Sequence, residues 1–573
     1  MSRGLPLLLA LLLLAAVPAG ASAGTPPSSA FSALSGPGSC ATVGLPTDIA
    51  CANTDGSAST NESVIVTPDD RQVIVITGAQ ETGHGEEGTN AIVTYNRDAT
   101  TGALSFASCV SNTGGDDQLG SDGVCTDADA LSGLNAVALT PDGKALFATA
   151  YGSSSLVWFD RDPATGKLTQ AGCLKNFSWP GEHCRTAPML GGANGVAVSA
   201  DGSTVLVTAE RTGSVTTFHR DQATGTLERV SCISDTGSDG LCTDGYGLRG
   251  ARDIVTTADG AEAFVVATKS DAVTRFSIDK TTGALVERQC LAAKVADGGA
   301  CRAVESLGGA HSIQLGGDES ELLVGAAGIN LFKREADGTL TSTACLESVE
   351  PPLADRPASE DNTSVDEDTG NQEDTPPTGT EHKSCTGIPE LGTSNITLSA
   401  DGKVLFASEG YSTTTILRRD AVGQPFTWHA CAQVEITYTK CSTLGEEGIS
   451  GPLATTREGR FLYAAKYHGV AVFQTAAAVA SSASVRRSGV LTTTIGCPAA
   501  HLTPCSGAIE HDNLRAPARF AVAAGTTSRL TMKLRPSATR RFQSGRLRGL
   551  TVKVRDASHK TRVARTRVQL HKR

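Results

Sequence analysis

The chain has 573 residues, of which 19% are charged and 39% are hydrophobic, and its net charge of −11 at pH 7 makes it acidic as a whole. Because the sequence also opens with an export signal, nucleic acid is not an expected partner. Its sixteen cysteines are an even set without Cys-x-x-Cys spacing, which favours disulfides over zinc ligands.

Residues 1–23 have the form of a signal peptide. Arg3 precedes an apolar run from Leu5 to Val17, and small residues end at Ala23, where cleavage is expected. A membrane anchor is the alternative, but the run is shorter than the roughly 20 residues that a span needs. We therefore expect a secreted, extracellular and monomeric protein without a transmembrane segment, with association to the cell wall as a further expectation.

Units of about sixty residues then repeat along the chain. In residues 134–184, short apolar runs at 137–140, 145–150, 156–159 and 168–173 are separated by turns rich in Asp and Gly. Runs of this length between such turns are typical of strands, since Gly supplies the positive φ that ends a turn. Each repeat is predicted to be a meander of four strands, here named a, b, c and d in chain order.

Seven repeats predict an all-β fold, a seven-bladed β-propeller over residues 31–475. The turns between strands a and b begin at Pro68, Pro141, Ala200, Ala258, Gly317, Ala400 and Arg457. The last repeat lacks strand d after Phe473, whereas residues 31–40 copy that strand together with its cysteine spacing. We therefore predict that an N-terminal strand closes the ring by pairing beside residues 469–473.

The cysteines recur in pairs of sequence neighbours, most of them just after a strand d. The predicted disulfides are Cys40–Cys51, Cys109–Cys125, Cys173–Cys184, Cys232–Cys242, Cys290–Cys301, Cys345–Cys385, Cys431–Cys441 and Cys497–Cys505. Such a framework is expected in an oxidising compartment. Each bridge should fix a strand d to the connection that leads inward to the next repeat.

Residues 347–384 interrupt the propeller with acidic and polar residues and almost no apolar ones. A segment of this composition cannot bury enough surface to order itself, so a disordered acidic loop is predicted. No cofactor and no metal are expected. Calcium is an open alternative here and at the Asp-rich loops around Asp117 and Asp239, although the acid spacing matches no EF-hand.

Residues 484–573 break the repeat and form a second predicted domain, a small basic β-sandwich. Its segments 529–535 and 551–555 alternate polar and apolar residues, as half-buried antiparallel strands do. The domain holds nineteen Lys or Arg and three Asp or Glu, a net charge of +16, so the preceding chain sums to −27. This contrast predicts binding to a polyanion such as an anionic cell-wall polymer. A solvated charged face without a partner is the alternative.

The repeat phrases at 159–168, 196–202 and 232–242 resemble those of the secreted bacterial members of the lactonase-like seven-bladed propeller family. Its superfamily includes 6-phosphogluconolactonase and carboxymuconate cyclase. The resemblance covers about residues 31–475 and implies the fold. It carries over no catalytic residue, because these phrases are turns and strands, and propellers host unrelated functions on one scaffold.

Strand a lines the channel of a propeller, so the residues that enter it should ring the channel mouth. These residues are Glu62, Asn135, Asn194, Arg252, His311, Ser394 and Gly451, and the loops between strands b and c add Glu81, His84, Tyr151, Glu210, Arg211, Lys269, Glu409, Tyr467 and His468. Arg252, Arg211 and Lys269 could bind a carboxylate or phosphate. His311 or Glu210 could act as general base. The remaining candidate substrate-binding residues are Glu62, Asn135 and Asn194.

Two functions remain open on the sequence. The first is a binding scaffold at the cell surface, which displays the propeller to a protein ligand and is held to the envelope by its basic domain. The second is an extracellular lactonase-like hydrolase or cyclase that acts on an acidic lactone at the channel mouth. An enzyme should bring a base and anion-binding groups together on one face of the ring, whereas a scaffold needs only a broad surface.

Overall fold

The fold was obtained as a computed structural model. It describes residues 30–33, 40–41, 59–82, 85–87, 90–99, 102–112, 125–235, 238, 240–294, 300–349, 385–399, 401–409, 413–433, 442–443, 451–457, 461–466, 469–476, 478–479, 482–496, 505–522, 527–556 and 563–572. Within these residues the strands form seven small sheets and one larger sheet. The predicted signal peptide, and most of the acidic loop after Val349, lie outside the described residues. No helix of the described part is long and apolar enough to cross a membrane.

The small sheets follow the repeats in order. Strands β1 (Ala30–Ala33) and β2 (Cys40–Ala41) precede them. Blade 1 has β3 (Ser59–Val66), β4 (Gln72–Thr82), β5 (Gly85–Glu87), β6 (Ala91–Arg97), β7 (Leu104–Ser111) and β8 (Thr126–Asp127). Blade 2 has β9 (Leu134–Leu139), β10 (Ala145–Ala150), β11 (Ser155–Arg161), β12 (Leu168–Lys175) and β13 (Arg185–Thr186). Blade 3 has β14 (Ala193–Val198), β15 (Thr204–Ala209), β16 (Ser214–Arg220), β17 (Leu227–Ser234) and β18 (Thr243–Asp244).

The remaining blades follow the same plan. Blade 4 has β19 (Ala251–Thr256), β20 (Glu262–Ala267), β21 (Ala272–Ile278), β22 (Leu285–Ala292) and β23 (Arg302–Ala303), followed by a 3₁₀ turn at Glu305–Leu307. Blade 5 has β24 (Ser312–Leu315), β25 (Glu321–Gly325), β26 (Gly328–Arg334), β27 (Leu340–Val349) and β28 (Thr386–Pro389). Blade 6 has β29 (Asn395–Leu398), β30 (Val404–Glu409), β31 (Thr413–Arg418), β32 (Thr427–Gln433) and β33 (Ser442–Thr443). Blade 7 has β34 (Leu453–Thr455), β35 (Phe461–Lys466) and β36 (Gly469–Ala476).

The sheets are arranged as a ring. The innermost strand of each blade lies against the innermost strand of the next, and β34 of the seventh lies against β3 of the first. The buried apolar clusters also lie between neighbouring sheets, and one of them joins Val73 and Val75 of blade 1 to Phe461 and Tyr463 of blade 7. The all-β propeller predicted from the repeats is therefore confirmed.

The turns between strands a and b of blades 1 to 4 and of blade 6 are fixed by a short aspartate motif. In blade 4 the Thr257 hydroxyl donates a hydrogen bond of 2.7 Å to Asp259, and the same carboxylate accepts the Ala261 amide at 3.0 Å. These bonds lower the pKa of Asp259 to about 2. The same pattern recurs at Asp69, Asp142, Asp201 and Asp401. Local side-chain bonds of this kind explain why the turns could be read from the sequence.

A fifth strand, which the four-strand prediction lacked, follows the second cysteine of each pair in blades 1 to 6. It has two to four residues and pairs in parallel with strand d. In blade 2, Leu174 after Cys173 faces Arg185 after Cys184, so the disulfide joins positions that are opposite in register. Each disulfide thus fastens strand d to the chain that turns inward to the next blade.

Two strands near the N-terminus occupy the place of strand d in blade 7. Strand β1 pairs with β36 from Ala30 opposite Ala476 to Ala33 opposite Phe473. Strand β2 pairs with the same strand, and its Cys40 lies opposite Ala471, the third residue of β36. In blade 2 Cys173 likewise lies opposite Val157, the third residue of β11. The two N-terminal strands therefore share the register of the other blades.

Five disulfides join described cysteines, namely Cys109–Cys125, Cys173–Cys184, Cys232–Cys242, Cys290–Cys301 and Cys345–Cys385. Each agrees with the predicted pairing. Cys505 is also disulfide-bonded, whereas Cys51, Cys441 and Cys497 lie outside the described residues. Strand β27 extends to Val349, so the predicted acidic loop begins later than residue 347.

Peptide mapping of the unreduced protein should therefore recover all eight neighbour pairs, including Cys40–Cys51, Cys431–Cys441 and Cys497–Cys505. The expectation follows because each described disulfide joins strand d to the parallel fifth strand at an equivalent position of its blade. A peptide that links cysteines of two different pairs would contradict it, and the same digest after reduction serves as the control.

Buried arginines connect neighbouring blades on the face opposite the predicted mouth. Arg334 at the end of β26 donates from Nε to Glu262 Oε2 of blade 4 at 2.7 Å. Arg275 of blade 4 donates to the other carboxylate oxygen of Glu262 at 2.8 Å. Arg419 of blade 6 pairs with Glu321 of blade 5 at 2.6 Å. Because these groups are mostly buried, the ion pairs are positioned to resist separation of the blades.

The larger sheet follows the propeller. It comprises β37 (Ala478–Val479), β38 (Ser482–Val485), β39 (Val490–Gly496), β40 (Cys505–Glu510), β41 (Ala518–Val522), β42 (Thr527–Lys533), β43 (Gly549–Asp556) and β44 (Val563–Lys572), with helix α1 (Pro536–Gln543). The sheet begins before residue 484, so the predicted domain boundary is a few residues too late. All eight strands are hydrogen-bonded into one sheet around one core. Two facing layers, as in the predicted sandwich, stay a prediction.

Candidate active site

A β-bulge near the start of strand a distinguishes blades 1 to 4. In blade 4 the pairing passes from Ala251 to Asp253 while the partner strand advances by one residue, so Arg252 is the extra residue. The extra residues of the other three blades include Glu62, Asn135 and Asn194. A bulge turns its side chain away from the ladder. Four of the seven predicted mouth residues thus lie at equivalent bulges at the same end of the inner strands.

Glu210 links the bulge of blade 3 to the loop of blade 4. Asn194 donates from Nδ2 to Glu210 Oε2 at 3.3 Å, and Lys269 Nζ lies 3.6 Å from Oε1. Asn194 is buried, whereas the Lys269 side chain is 57% exposed. The structure therefore brings three of the predicted residues together. The lysine holds the glutamate as an ion pair, which suits Glu210 to orient a substrate better than to accept a proton.

Arg211 lies beside this group. Its guanidinium carbon is 4.4 Å from the centre of the Tyr151 ring, a cation–π contact between the loops of blades 3 and 2. Gly192 lies beneath both side chains with a φ of +65°. A Cβ atom there would be 2.8 Å from Arg211 Cγ and 3.0 Å from Tyr151 Cε2, so only glycine fits. The contact holds an exposed positive charge at the mouth.

Hydrogen bonds between blades fix the backbone at the mouth. The Thr208 hydroxyl of blade 3 donates to the Arg252 carbonyl of blade 4 at 2.8 Å. The Thr149 hydroxyl of blade 2 donates in the same way to the Asn194 carbonyl of blade 3. The Ser408 hydroxyl of blade 6 donates to the Gly451 carbonyl at 2.9 Å. The backbone carbonyls at the starts of three inner strands are thus held by the preceding blade.

Asp253, which the sequence analysis did not single out, follows Arg252 on β19. Its Oδ2 accepts the Ile313 amide of blade 5 at 3.1 Å, and its Oδ1 accepts the Ile254 amide at 2.8 Å. Burial raises the pKa of this carboxyl to about 6, against the lowering effect of these hydrogen bonds and of Arg252. A half-buried carboxyl beside an exposed arginine can exchange a proton near neutral pH.

His311 precedes β24 and is the next predicted residue around the ring. Its Nε2 lies 2.7 Å from the Thr393 carbonyl of blade 6, and its Nδ1 contacts the Gly309 carbonyl. A carbonyl accepts a hydrogen bond, so both nitrogens face acceptors. The prediction of His311 as general base does not fit this arrangement, since a base needs a nitrogen lone pair that faces the substrate. The imidazole instead connects blades 5 and 6.

The other predicted mouth residues are only partly described by the structure. Ser394 and Gly451 lie just before β29 and β34, on blades 6 and 7. Glu62, Glu81 and Glu409 belong to strands, but their side chains are outside the described part. His84, Tyr467 and His468 lie outside the described residues altogether. Among the residues that the structure describes, no group of three or more His, Cys, Asp or Glu is placed to hold a metal.

Comparison with known proteins bears on the fold. Residues 86–240 match the family model described as lactonase, 7-bladed beta-propeller. No curated protein matches the chain. The resemblance of the repeats to lactonase-like seven-bladed propellers is thus confirmed at the level of fold.

Solved structures show likeness of the same kind. The periplasmic gluconolactonase PpgL of Pseudomonas aeruginosa is 17% identical with a TM-score of 0.42, over 68% of this chain and 88% of that one. A protein of Lactobacillus plantarum is 15% identical with a TM-score of 0.42, over 68% and 89%. Hydrazine synthase of Kuenenia stuttgartiensis is 16% identical with a TM-score of 0.41, over 74% and 98%. At these levels the likeness says nothing about the reaction of this chain.

Proposed function

We propose that this protein hydrolyses an acidic lactone at the mouth of the propeller, on the side formed by blades 2 to 4. The observation that carries the proposal is Asp253, a carboxyl whose pKa is raised to about 6 and which adjoins the exposed Arg252. Arg211 and Lys269 add positive charge on the neighbouring loops. A proton acceptor and anion-binding groups on one face are the combination that such a reaction needs.

The chemistry requires water and no other reactant. Arg252 would bind the carboxylate or phosphate of the substrate, and ionised Asp253 would remove a proton from a water molecule. The water oxygen bonds to the lactone carbonyl carbon, and the ring C–O bond then breaks. The ring oxygen takes up the proton and becomes a hydroxyl group, so the product is a hydroxy acid. This assignment replaces His311 by Asp253 as base and gives Glu210 a positioning role.

The test is a hydrolysis assay of the mature protein with sugar-acid and phosphosugar lactones, followed by titration of the acid released. Uncharged lactones of the same ring size are the comparison, since the proposal expects turnover of the acidic ones. If no lactone is hydrolysed above the rate without protein, the propeller is not a lactonase. Preference for uncharged lactones would contradict the role of Arg252.

A second candidate is a secreted scaffold that displays the propeller at the cell surface and is anchored by the C-terminal domain. The charge contrast of +16 after Ser484 and −27 before it supports the candidate. The disulfides suit an exported protein. Anchoring by charge is weakened by salt, since the Debye length is about 10 Å at 0.1 M. Retention of the protein on cell walls should therefore fall as salt is added.

We also propose that β1 and β2 close the last blade. Removal of residues 30–41 should lower the melting temperature and promote aggregation, because β36 would then be an open sheet edge. A variant that lacks only residues 24–29 is the matched control. Addition of a peptide of residues 30–41 should restore part of the loss. An unchanged melting temperature after the longer deletion would refute closure by these strands.

A further inference from the structure

One surface of the C-terminal domain carries a dense group of arginines. Eight are exposed, and we refer to them as the arginine surface: Arg486, Arg487, Arg515, Arg535, Arg540, Arg541, Arg546 and Arg548. They come from the turn before β39, the segment before β41, and helix α1 with the residues that flank it. These segments are far apart in the sequence, and the fold brings them together.

Backbone contacts join the segments directly. Gln543 of α1 donates from Nε2 to the Arg487 carbonyl at 2.8 Å, which seats the helix on the turn before β39. A Cβ atom at Gly489 of this turn would be within 2.3 Å of Thr539 Oγ1, so turn and helix are in close contact. The Arg535 amide donates to the Asn513 carbonyl at 2.9 Å, which adds the segment before β41. The eight arginines therefore share one continuous region.

The arginine surface lacks compensating charge. Within the described residues none of the eight forms an ion pair, and the contact of Arg535 Nε is to the Leu514 carbonyl at 3.0 Å. In the propeller, by contrast, Arg275, Arg334 and Arg419 are paired with carboxylates. Helix polarity favours Arg540 and Arg541 near the end of α1 but does not account for the other six. Mutual repulsion of so many cations is a cost that a bound polyanion would remove.

Two features indicate the kind of anion. The exposed cations of these segments are mostly arginines, with Lys533 beside Arg515 as the exception. The guanidinium fork can contact two oxygens of one phosphate, whereas lysine supplies a point charge. The large exposed apolar side chains of the described chain, such as Trp179 and Phe177, are all in the propeller. Since the described part of the C-terminal domain presents no such side chain, it is poorly suited to insertion into a lipid bilayer. A hydrated polymer fits this surface better than a membrane.

We propose that the arginine surface binds a polymer whose repeating charges are phosphodiesters. The inference rests on the second candidate function, in which the C-terminal domain anchors the protein, and it assigns both the surface and the chemistry of the partner. Strings of phosphates would neutralise several arginines at once and release counterions, which makes the binding strong at low salt and steeply salt-dependent.

The test uses the full mature protein and synthetic poly(glycerol phosphate). Arg540→Gln with Arg541→Gln should weaken binding at least about tenfold at low salt and make its salt dependence shallower, since each lost phosphate contact removes counterion release. Gln is a good helix former, so α1 should persist. The matched control is Arg529→Gln with Lys553→Gln, which removes the same charge from exposed positions on β42 and β43 and should change binding less than about twofold.

The outcomes separate this inference from anchoring in general. Equal weakening by both double variants would show that net charge alone is responsible and would overturn the inference. Tighter binding to polyglutamate or to vesicles of anionic lipid would overturn the chemistry. If the parent protein and the Arg540/Arg541 variant are retained equally on cell walls, the anchoring proposal stands and the assignment of binding to the arginine surface is wrong. If polymer binds as expected but walls retain nothing, the surface stands and anchoring fails.

Discussion

Replacement of Asp253 by Asn should reduce lactone hydrolysis by about 10²–10⁴-fold, because the amide cannot accept the proton from water. Binding of the substrate should change little, since Arg252 and the loop cations remain. Glu287→Gln is the matched control. Burial also raises the pKa of Glu287. This carboxyl lies on β22, an outer strand of blade 4 away from the mouth, where it accepts a hydrogen bond from the Tyr246 amide. Loss of activity in both variants would point to a general effect of charge.

The pH dependence of the reaction has a definite sign. The base works as the carboxylate, so the rate should rise with pH and level off above about 6, where Asp253 is ionised. Assays of kcat/KM between pH 4 and 8 would show this limb. A rate that is independent of pH across 6 would exclude Asp253 as the base, even if the Asn variant is inactive for another reason.

The same carboxyl should also affect the stability of the protein, with the opposite pH dependence: its effect on stability should become less favourable as pH rises. Its folded pKa of about 6 lies above the ordinary aspartate value of 3.8, so the folded protein binds the proton more tightly than the unfolded chain does. The contribution of Asp253 to the free energy of unfolding is then largest below pH 3.8, falls as pH rises to 6, and stays lower above it by about 2–3 kcal/mol. Asp253→Asn should remove this fall. The difference in stability between variant and parent should therefore grow between pH 4 and 6.

The second large effect is expected at Glu262, which faces Arg275 and Arg334 across two blades. Its side chain is only 8% exposed, so Glu262→Gln would leave two largely buried guanidinium groups without a carboxylate. Breaking a buried pair in this way typically costs about 3–5 kcal/mol in the free energy of unfolding. Denaturant titration of the purified variant, with fluorescence to follow unfolding, measures the change.

Glu335→Gln is the control for this measurement. Glu335 pairs with Lys333 at 2.6 Å on the same blade as Arg334, but its side chain is 38% exposed and that of Lys333 58%. Exposed pairs contribute roughly 0–1 kcal/mol, so the control should be close to the parent. Equal losses in the two variants would mean that the connection between blades 4 and 5 is not what stabilises the ring.

The repeat could be predicted because its turns depend on local chemistry. Gly143 and Gly166 have φ values of +66° and +75°, and Asp142 accepts the Thr140 hydroxyl two residues before it. Such contacts span a few residues and leave a visible pattern in the sequence. The fifth strand of blades 1 to 6 has no such pattern, since two residues such as Arg185–Thr186 pair with strand d across the whole disulfide loop.

The candidate site was predictable only in part for a related reason. The position of Arg252 at the start of strand a could be inferred by alignment of the repeats. Nothing in the sequence distinguishes Asp253 from an exposed strand residue, because its pKa is raised by burial in the folded ring, against the lowering effect of the hydrogen bond from the Ile313 amide. His311 is the opposite case, a residue whose type suggests a role that its surroundings do not support. Histidine often acts as a base, but in the folded protein each ring nitrogen of His311 contacts a backbone carbonyl.

Helix α1 was missed although its signal was present. Pro536 stands at its first turn, a favoured place for proline because the first amides of a helix have no partner within it. The two arginines that follow obscure the apolar stripe, which consists of Ala538 and Phe542 alone. A helix of this length is stabilised by the core on which it packs, and that core is built by strands distant in sequence.

The pairing of β1 and β2 with β36 sets an order of events during synthesis. Strands β1 and β2 are synthesised before every blade, and their partner β36 follows the strands of the first six blades, so they have no partner strand until then. Until β36 is synthesised, β1 and β2 have no partner strand. A chain interrupted before β36 would therefore keep unpaired strand edges. Pairing of these strands therefore requires that the chain has been synthesised as far as β36, the last strand of blade 7.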